Sequence, residues 1–389
     1  MRIMYIGAFR LPNFDAAAAR VLNVARALRI SGHDISFISW GGEQRPQDKC
    51  DDGLYRVDGF PYVVTDELGL KGGLFAKAWG WLTRGKKTKN ILRQTLDQYD
   101  AIITYNCSLI WWLQSFCKKN KIYLVTDLTE WYDNNEQRII EKPGYYFSMN
   151  YVQPRVKNKI VISSYLGRYF SKTHNLVVPA MCDASEPKWN NEACVVEEFD
   201  GISLIYAGNP AKKDAVHFVI RAVQRLVNEG KKIRFLILGI TRETYINRYK
   251  DLLPSQQLSK NISFLGRVSQ DVVPSYYAAA DFMVLLREQT RKNNAGFPTK
   301  FAESFTSGTP VIANLTSDLK QYLKDGVTGF VVEEPSEEAI YRVLKNKVAG
   351  LDRSTIEQMK KNVNNVAMQF DYHMYVEPLK EFVDILELQ

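Results

Sequence analysis

A lysine, a glutamate and a proline-led turn stand close together in residues 293–314, which read NNAGFPTKFAESFTSGTPVIAN. Pro298 suits the first turn of a helix, where its missing N–H would have no partner anyway, and the spacing predicts a helix from Lys300 to about Ser307. Ala295 and Gly296 ahead of it are small enough for a close backbone approach. Unpaired N–H groups and the positive end of the helix dipole favour an anion at such a start, with Gly296, Phe297, Pro298 and Thr299 as its cradle. Lys300 adds a full charge there, and Glu303, three residues on, shares its helix face. A carboxylate so placed accepts hydrogen bonds from a diol such as a nucleotide ribose. The chemistry implied is a grip on phosphate next to a grip on a sugar diol. The same spacing also fits an ordinary surface helix with a Lys–Glu pair, so the surrounding elements must decide.

Those elements alternate. Gly308 and Pro310 stop the helix, and residues 311–313 read as a short buried strand. At the start of the chain, a strand over 3–6, a loop over 7–14 and a helix over 16–30 form a βα unit, and a second strand follows over 35–39. His33, in the turn before that strand, reads as structural. Further strands over 101–104 and 123–126 imply a parallel sheet, whose ligands sit at strand C-terminal ends. Asp127 and Glu130 follow the last of these and are candidates for sugar or acceptor contacts, although Asp127 or Thr129 also suits a helix cap. A second βα series restarts with a strand over 203–207, a loop over 208–214 and a helix over 215–228. It continues with strands over 234–238, 262–265 and 282–286 and a helix over 275–280. The polar stretch 179–198 between the two halves, with Pro187, reads as a hinge. The fold class expected is α/β, with two doubly wound domains.

Composition narrows the classes. The chain has 389 residues, 46% of them hydrophobic, enough for two substantial cores. No apolar run is long enough to span a bilayer and the N-terminus enters directly into a strand, so a cytoplasmic protein without a spanning helix or cleaved leader is expected. The five cysteines show no CxxC spacing and the four histidines no i,i+4 pair, which argues against a disulfide framework or a metal site. The net charge of +8 lies wholly in residues 1–185, where 25 Lys and Arg face 17 Asp and Glu. From Lys71 to Arg93 there are seven basic residues, no acidic one, and Trp79 and Trp81 interleaved. That composition suits docking on an anionic inner membrane face, or a solvated basic face whose tryptophans pack inward. No nucleic-acid-binding motif accompanies the charge.

The segment 293–314 resembles the signature of the retaining glycosyltransferases of family 4, which have the GT-B fold and two glutamates with seven residues between them around such a helix. Glu303 stands at the second position; Ala295 stands at the first, where the family's glutamate contacts the donor sugar. The resemblance covers nearly the full length and is more specific in the second half. It implies two Rossmann-like domains facing across a cleft: residues 1–182 for the acceptor and 183–370 for the nucleotide-sugar donor, with a C-terminal helix over 371–389 returning to the first. Gly208 to Asp214 resembles the family's glycine-then-lysine loop, which makes Lys213 the partner of Lys300 on the diphosphate. Asn209 stands where many members have an arginine. Arg267 and Val268 resemble the turn that lines the base pocket, and residues 285–288 would face the same cleft. The loop 10–17, with Ala16 in place of a glycine, would lie opposite the donor phosphates.

The function so implied is transfer of a sugar from a nucleotide-diphosphate sugar, UDP- or GDP-linked, to a glycan or lipid-linked acceptor. The resemblance further implies retention, no required cofactor or metal, and a place in cell-surface polysaccharide or glycoconjugate synthesis. The catalytic candidates are Glu303, Lys300, Lys213 and Glu130. Ala295 leaves open an inactive subunit that binds a glycan or partner, and a nucleotide-sugar 2-epimerase is a further alternative.

Overall fold

The structure is a computed structural model and describes residues 1–12, 15–68, 84–132, 142–190, 196–210, 214–252 and 258–388. It divides into two compact units, Met1–Met181 with Tyr372–Gln389, and Cys182–Asp371.

Eight strands of the first unit form one sheet: β1 (Arg2–Leu11), β2 (Asp34–Gly42), β3 (Tyr55–Val57), β4 (Phe60–Val64), β5 (Ala101–Tyr105), β6 (Tyr123–Leu128), β7 (Asn158–Val161) and β8 (His174–Val177). Their order is β3-β4-β2-β1-β5-β6-β7-β8, parallel throughout except for the edge pair β3 and β4. A parallel sheet must be covered on both faces, and β1 shows how the sequence achieves this. Ile3 and Tyr5 point into a cluster with Val21, Leu22 and Leu28 of the helix Ala16–Ile30 and Leu379, Phe382 and Leu386 of the helix Val376–Glu387. Met4 and Ile6 point the other way, to Leu92 of the helix Lys86–Gln94 and Leu113 and Cys117 of the helix Ile110–Asn120.

The second unit has six parallel strands: β9 (Ile202–Ala207), β10 (Ile233–Leu238), β11 (Ile262–Gly266), β12 (Phe282–Leu285), β13 (Val311–Asn314) and β14 (Gly329–Val332). Their order is β11-β10-β9-β12-β13-β14. Strand order reverses between β9 and β12, and in doubly wound sheets ligands bind outside the strand ends at such a reversal. The α/β class with two doubly wound sheets is therefore the observed one.

Three local expectations are corrected. Backbone pairing carries β1 on to Leu11, with a register shift between Gly7 and Arg10, so most of the expected loop over 7–14 is strand. Pairing of Asp127 with both Tyr105 and Ile160 extends β6 past the expected end and takes Asp127 into the sheet. Ala295 closes a short helix, Arg291–Ala295, and Gly296 has a φ of −81°, so neither uses the conformational freedom expected of a glycine turn.

β7 also buries a lysine that nothing in the sequence flags. Lys159 has no exposed surface; its ammonium donates to the Val156 carbonyl and lies 5.0 Å from the centre of the Phe170 ring, without a carboxylate partner in the described residues. Burial lowers its pKa from 10.5 to about 7. Between those two values the unfolded chain binds a proton that the folded one does not, so stability rises with pH across the window and the cost is fully present below it. Lys159→Met should stabilise the first unit by about 1–4 kcal/mol at neutral pH and flatten this slope, which urea titrations at several pH values would read.

Candidate functional site

The second unit builds a charged site at the strand reversal. β9 ends at Ala207, and Gly208 follows with a φ of +129°. A Cβ there would lie 2.6 Å from Cε of Lys300, so only glycine lets the lysine lie across the end of the strand. Gly239, after β10, is equally constrained: at a φ of +97°, a Cβ on it would lie 2.5 Å from the Gly208 carbonyl carbon. The Gly208 N–H donates to the Leu238 carbonyl at 3.0 Å and the Gly239 N–H to the Gly266 carbonyl at 2.6 Å, which aligns the ends of β9, β10 and β11. The result is a shelf of bare main chain, close enough for a phosphate or a base to approach.

Asp214 organises the cations beside this shelf. It is buried; its Oδ1 accepts from Arg287 Nε at 2.9 Å, and its Oδ2 accepts from Lys300 Nζ at 3.1 Å and from the Tyr206 hydroxyl at 2.7 Å. Arg287 is fixed in turn by Asn314, which accepts from its N–H at 2.8 Å and donates to its carbonyl at 2.7 Å. Burial, then the Asp214 carboxylate, pushes the Tyr206 phenol well above its usual range, which keeps it a donor. Two cations thus share one carboxylate, and these three described side chains sum to one positive charge.

Lys300 arrives on the helix Thr299–Thr306, whose orientation is set by its apolar side. Phe301 and Phe305 stack at 4.3 Å and pack on Phe370, while Phe297 meets Tyr322 at 5.8 Å. That burial turns Lys300 and Glu303 to the opposite side. It also makes the Phe297 ring part of the core, leaving only its main chain for a ligand. The helix start has no side-chain cap at Pro298. Glu303 is half-buried, and its carboxylate makes no hydrogen bond within the described residues. Burial raises its pKa, partly offset by Lys300 and Lys188. A carboxylate left unpaired one turn from Lys300 is free to accept hydroxyl donors.

The other expectations fall as follows. Lys213 lies outside the described residues. Asn209 Oδ1 accepts from Arg248 Nη1 at 2.8 Å, so Arg248 of the helix Arg242–Tyr249 brings a guanidinium to the Gly208 loop. Arg267 is exposed and Val268 half-buried just past β11. In the first unit Asp127 is a structural residue: it is fully buried, with Arg20 Nη2 at 2.7 Å and Nε at 2.9 Å from its oxygens and the Tyr5 hydroxyl at 2.5 Å. It is thereby corrected as a ligand contact, because β6 carries it into the core. Glu130 is half-buried, its carbonyl accepting from the Tyr145 hydroxyl at 3.3 Å. Ala16 opens a helix already capped by Asp15, which accepts from the Ala18 N–H at 2.8 Å and pairs with Arg10 at 3.0 Å. That helix start therefore carries its own anion.

Sequence reasoning named Lys300, Glu303 and Gly208 but missed Asp214 as the hub, Gly239 and Arg248. The signal for Gly239 was available, a glycine directly after the hydrophobic run of β10. Asp214 gave none, since an aspartate before a helix usually reads as a cap.

Comparison with known proteins follows this division of the chain. Residues 195–364 match the family model described as glycosyl transferases group 1. A lipopolysaccharide 1,2-N-acetylglucosaminetransferase of Salmonella typhimurium is 22% identical over 45% of this chain and 48% of its own length, so the chain spans about half of that relative. An uncharacterized glycosyltransferase of Haemophilus influenzae is 23% identical over 83% of this chain and 84% of its own. Among solved structures, sucrose-phosphate synthase from Thermosynechococcus elongatus superposes with a TM-score of 0.73 at 15% identity, covering 100% of this chain and 99% of that one. Anabaena Alr3699/HepE in complex with UDP-glucose gives 0.69 at 14% identity, covering 99% of each. At such identities the structures establish the shared fold. That fold is GT-B, and the match over residues 195–364 together with relatives named as glycosyltransferases supports a transferase enzyme.

Proposed function

We propose that this chain transfers a sugar from a nucleotide-diphosphate donor, UDP- or GDP-linked, to a glycan or lipid-linked acceptor in cell-surface polysaccharide or glycoconjugate synthesis, with retention of configuration. The observation that carries the reading is Lys300 laid over Gly208 at the strand reversal, with the unpaired Glu303 one turn along the same helix. Lys300, the uncapped helix start and the glycine shelf would hold the diphosphate, and Glu303 would accept the ribose hydroxyls. Arg267 and Val268 would border the base, and Lys213 would add charge to the diphosphate. Electrostatic stabilisation of the departing diphosphate is then the main catalytic service of this unit. Relatives named for lipopolysaccharide and colanic acid biosynthesis support the acceptor class, and neighbours in complex with UDP-glucose support a nucleotide-sugar donor. Nothing in these likenesses favours the epimerase or the inactive subunit. We also propose the division into an acceptor part over 1–182 and a donor part over 183–370, and a cytoplasmic location that includes the inner membrane face. Among the described residues, no helix is long and apolar enough to cross a membrane.

Calorimetric titration with UDP, GDP, ADP and their sugars tests the donor site, and a chain that binds none of them lacks it. A pH series sharpens the test. Burial raises the Glu303 pKa, so binding should weaken as pH falls through a range above that of an ordinary glutamate. Glu303→Gln should bind more weakly at neutral pH and lose that dependence. A wild-type pH profile in the Glu303→Gln variant would remove Glu303 from the site.

A further inference from the structure

The first unit carries a surface that the proposed activity leaves unexplained. The helices Lys86–Gln94 and Ile110–Asn120 lie on one face of its sheet, packed through Leu92, Leu113 and Cys117. Outward, they present cations set against indoles. Lys89 Nζ lies 5.5 Å from the Trp111 ring centre and 5.3 Å from that of Trp112, and the Arg93 guanidinium lies 5.6 Å from Trp112. Trp112 stacks on Phe116 at 4.6 Å. Trp111 stands out from the protein, 59% exposed, the most exposed large aromatic side chain among the described residues. Next to it, Arg93, Leu96, Trp112, Ser115, Phe116, Lys119 and Asn120 line an open hollow of about 380 Å³.

Charge makes this face selective. Residues 84–94 and 109–121 contain Arg84, Lys86, Lys87, Lys89, Arg93, Lys118, Lys119 and Lys121 and no aspartate or glutamate. Neighbouring Glu67 is already engaged by the Thr88 hydroxyl and the Lys87 N–H, and Asp97 interacts with Arg2. Lys89, Arg93 and Lys119 have no carboxylate partner within the described residues. A protruding indole beside cations without carboxylate partners, next to a hollow lined by Leu96, Trp112 and Phe116 together with Arg93 and Lys119, matches a bilayer interface. There the indole sits at headgroup depth and the cations meet lipid phosphates. Residues 71–83, expected from composition to share in such contact, lie outside the described residues. Among the described residues, the indoles of this face come from the helix Ile110–Asn120.

We propose that the face formed by Lys89, Arg93, Trp111, Trp112 and Lys119 docks on a bilayer of anionic phospholipid, with a lipid headgroup in the hollow beside Trp112. This rests on the inner-membrane-face location proposed above and names its contact surface, but it does not depend on the transfer reaction, since docking needs no donor.

Cosedimentation of the full chain with vesicles of phosphatidylcholine, with and without phosphatidylglycerol, tests it. Binding should require phosphatidylglycerol and fall with added salt, and Trp fluorescence should be quenched by brominated acyl chains. Each cation near an anionic surface contributes about 5-fold, so Lys89→Glu with Arg93→Glu should weaken binding by about 25-fold or more. Trp111→Ala should weaken it several-fold and remove most of the quenching. Arg93 and Trp111 are exposed and Lys89 is half-buried, and an unchanged thermal transition and nucleotide titration would confirm that the fold and the second unit are intact. Equal binding to pure phosphatidylcholine, or wild-type vesicle binding by both variants, would overturn the proposal. So would capture by a DNA duplex or inorganic polyphosphate without any preference for phosphatidylglycerol, which would assign the face to a soluble polyanion.

Discussion

Lys300→Met should lower kcat/KM by about 10²–10³-fold and weaken nucleotide-diphosphate binding in parallel, with the fold retained. The physical basis is the charge count beside Gly208. Asp214 holds both Arg287 and Lys300, so the cluster has one positive charge to offer an incoming diphosphate. Among these described side chains, removing Lys300 leaves the Asp214 carboxylate facing the Arg287 guanidinium with no net positive charge. The carboxylate still keeps its contacts to Arg287 and the Tyr206 hydroxyl, which is why the fold should survive. Gly208→Ala should produce a similar loss by a different route. Its Cβ would take the space of the lysine side chain and strain a backbone at a φ of +129°. The measurements are calorimetric titration of the best-binding nucleotide and a steady-state assay with its sugar. Unchanged nucleotide affinity in Lys300→Met would move the donor site elsewhere.

The second large effect concerns stability. Asp127→Ala should cost about 3–5 kcal/mol in the first unit, because it leaves Arg20 charged and unpaired in the core. Arg20 and Asp127 are 3% and 0% exposed, and Arg20 also donates through Nη1 to the carbonyls of Val178 at 2.9 Å and Pro179 at 3.1 Å. The guanidinium therefore ties the helix Ala16–Ile30 to β6 and to the end of the first unit. Arg20→Met with Asp127→Leu should be much less damaging than either single change, since it removes both charges together. Six of the seven tryptophans precede residue 182 in the sequence, and Trp40, Trp111, Trp112 and Trp131 are described residues of the first unit, so fluorescence in urea reads mainly this transition. If Asp127→Ala shifted stability by less than about 1 kcal/mol while acceptor use collapsed, Asp127 would regain the ligand role that its burial takes away.

Much of the architecture is legible in the sequence because periodicity is a local property. Parallel strands buried on both faces read as apolar runs, and the helices between them carry a 3.6-residue apolar stripe. That sufficed for the alternation of elements, for Ala16–Ile30 and Thr299–Thr306 to within a residue, and for the juxtaposition of Lys300 and Glu303 on one helix face. Element ends were less legible. Whether β6 stops at Thr126 or runs to Leu128 depends on the strands beside it, and those two residues decide whether Asp127 meets a ligand or the core.

Sequence by itself thus determined the fold class, the lysine and glutamate of the candidate donor site, and the glycine on which the lysine rests. Tertiary structure alone decided what each charge faces. Asp214 lies 86 residues from Lys300 and 73 from Arg287, and Arg20 lies 107 from Asp127. No pattern over a dozen residues encodes such pairs. Similarly, Trp111 and Lys89 become one surface only because their helices share a face of the sheet. Helical and strand periods are set by neighbours along the chain, whereas the partner of a buried charge is set by which strands lie side by side.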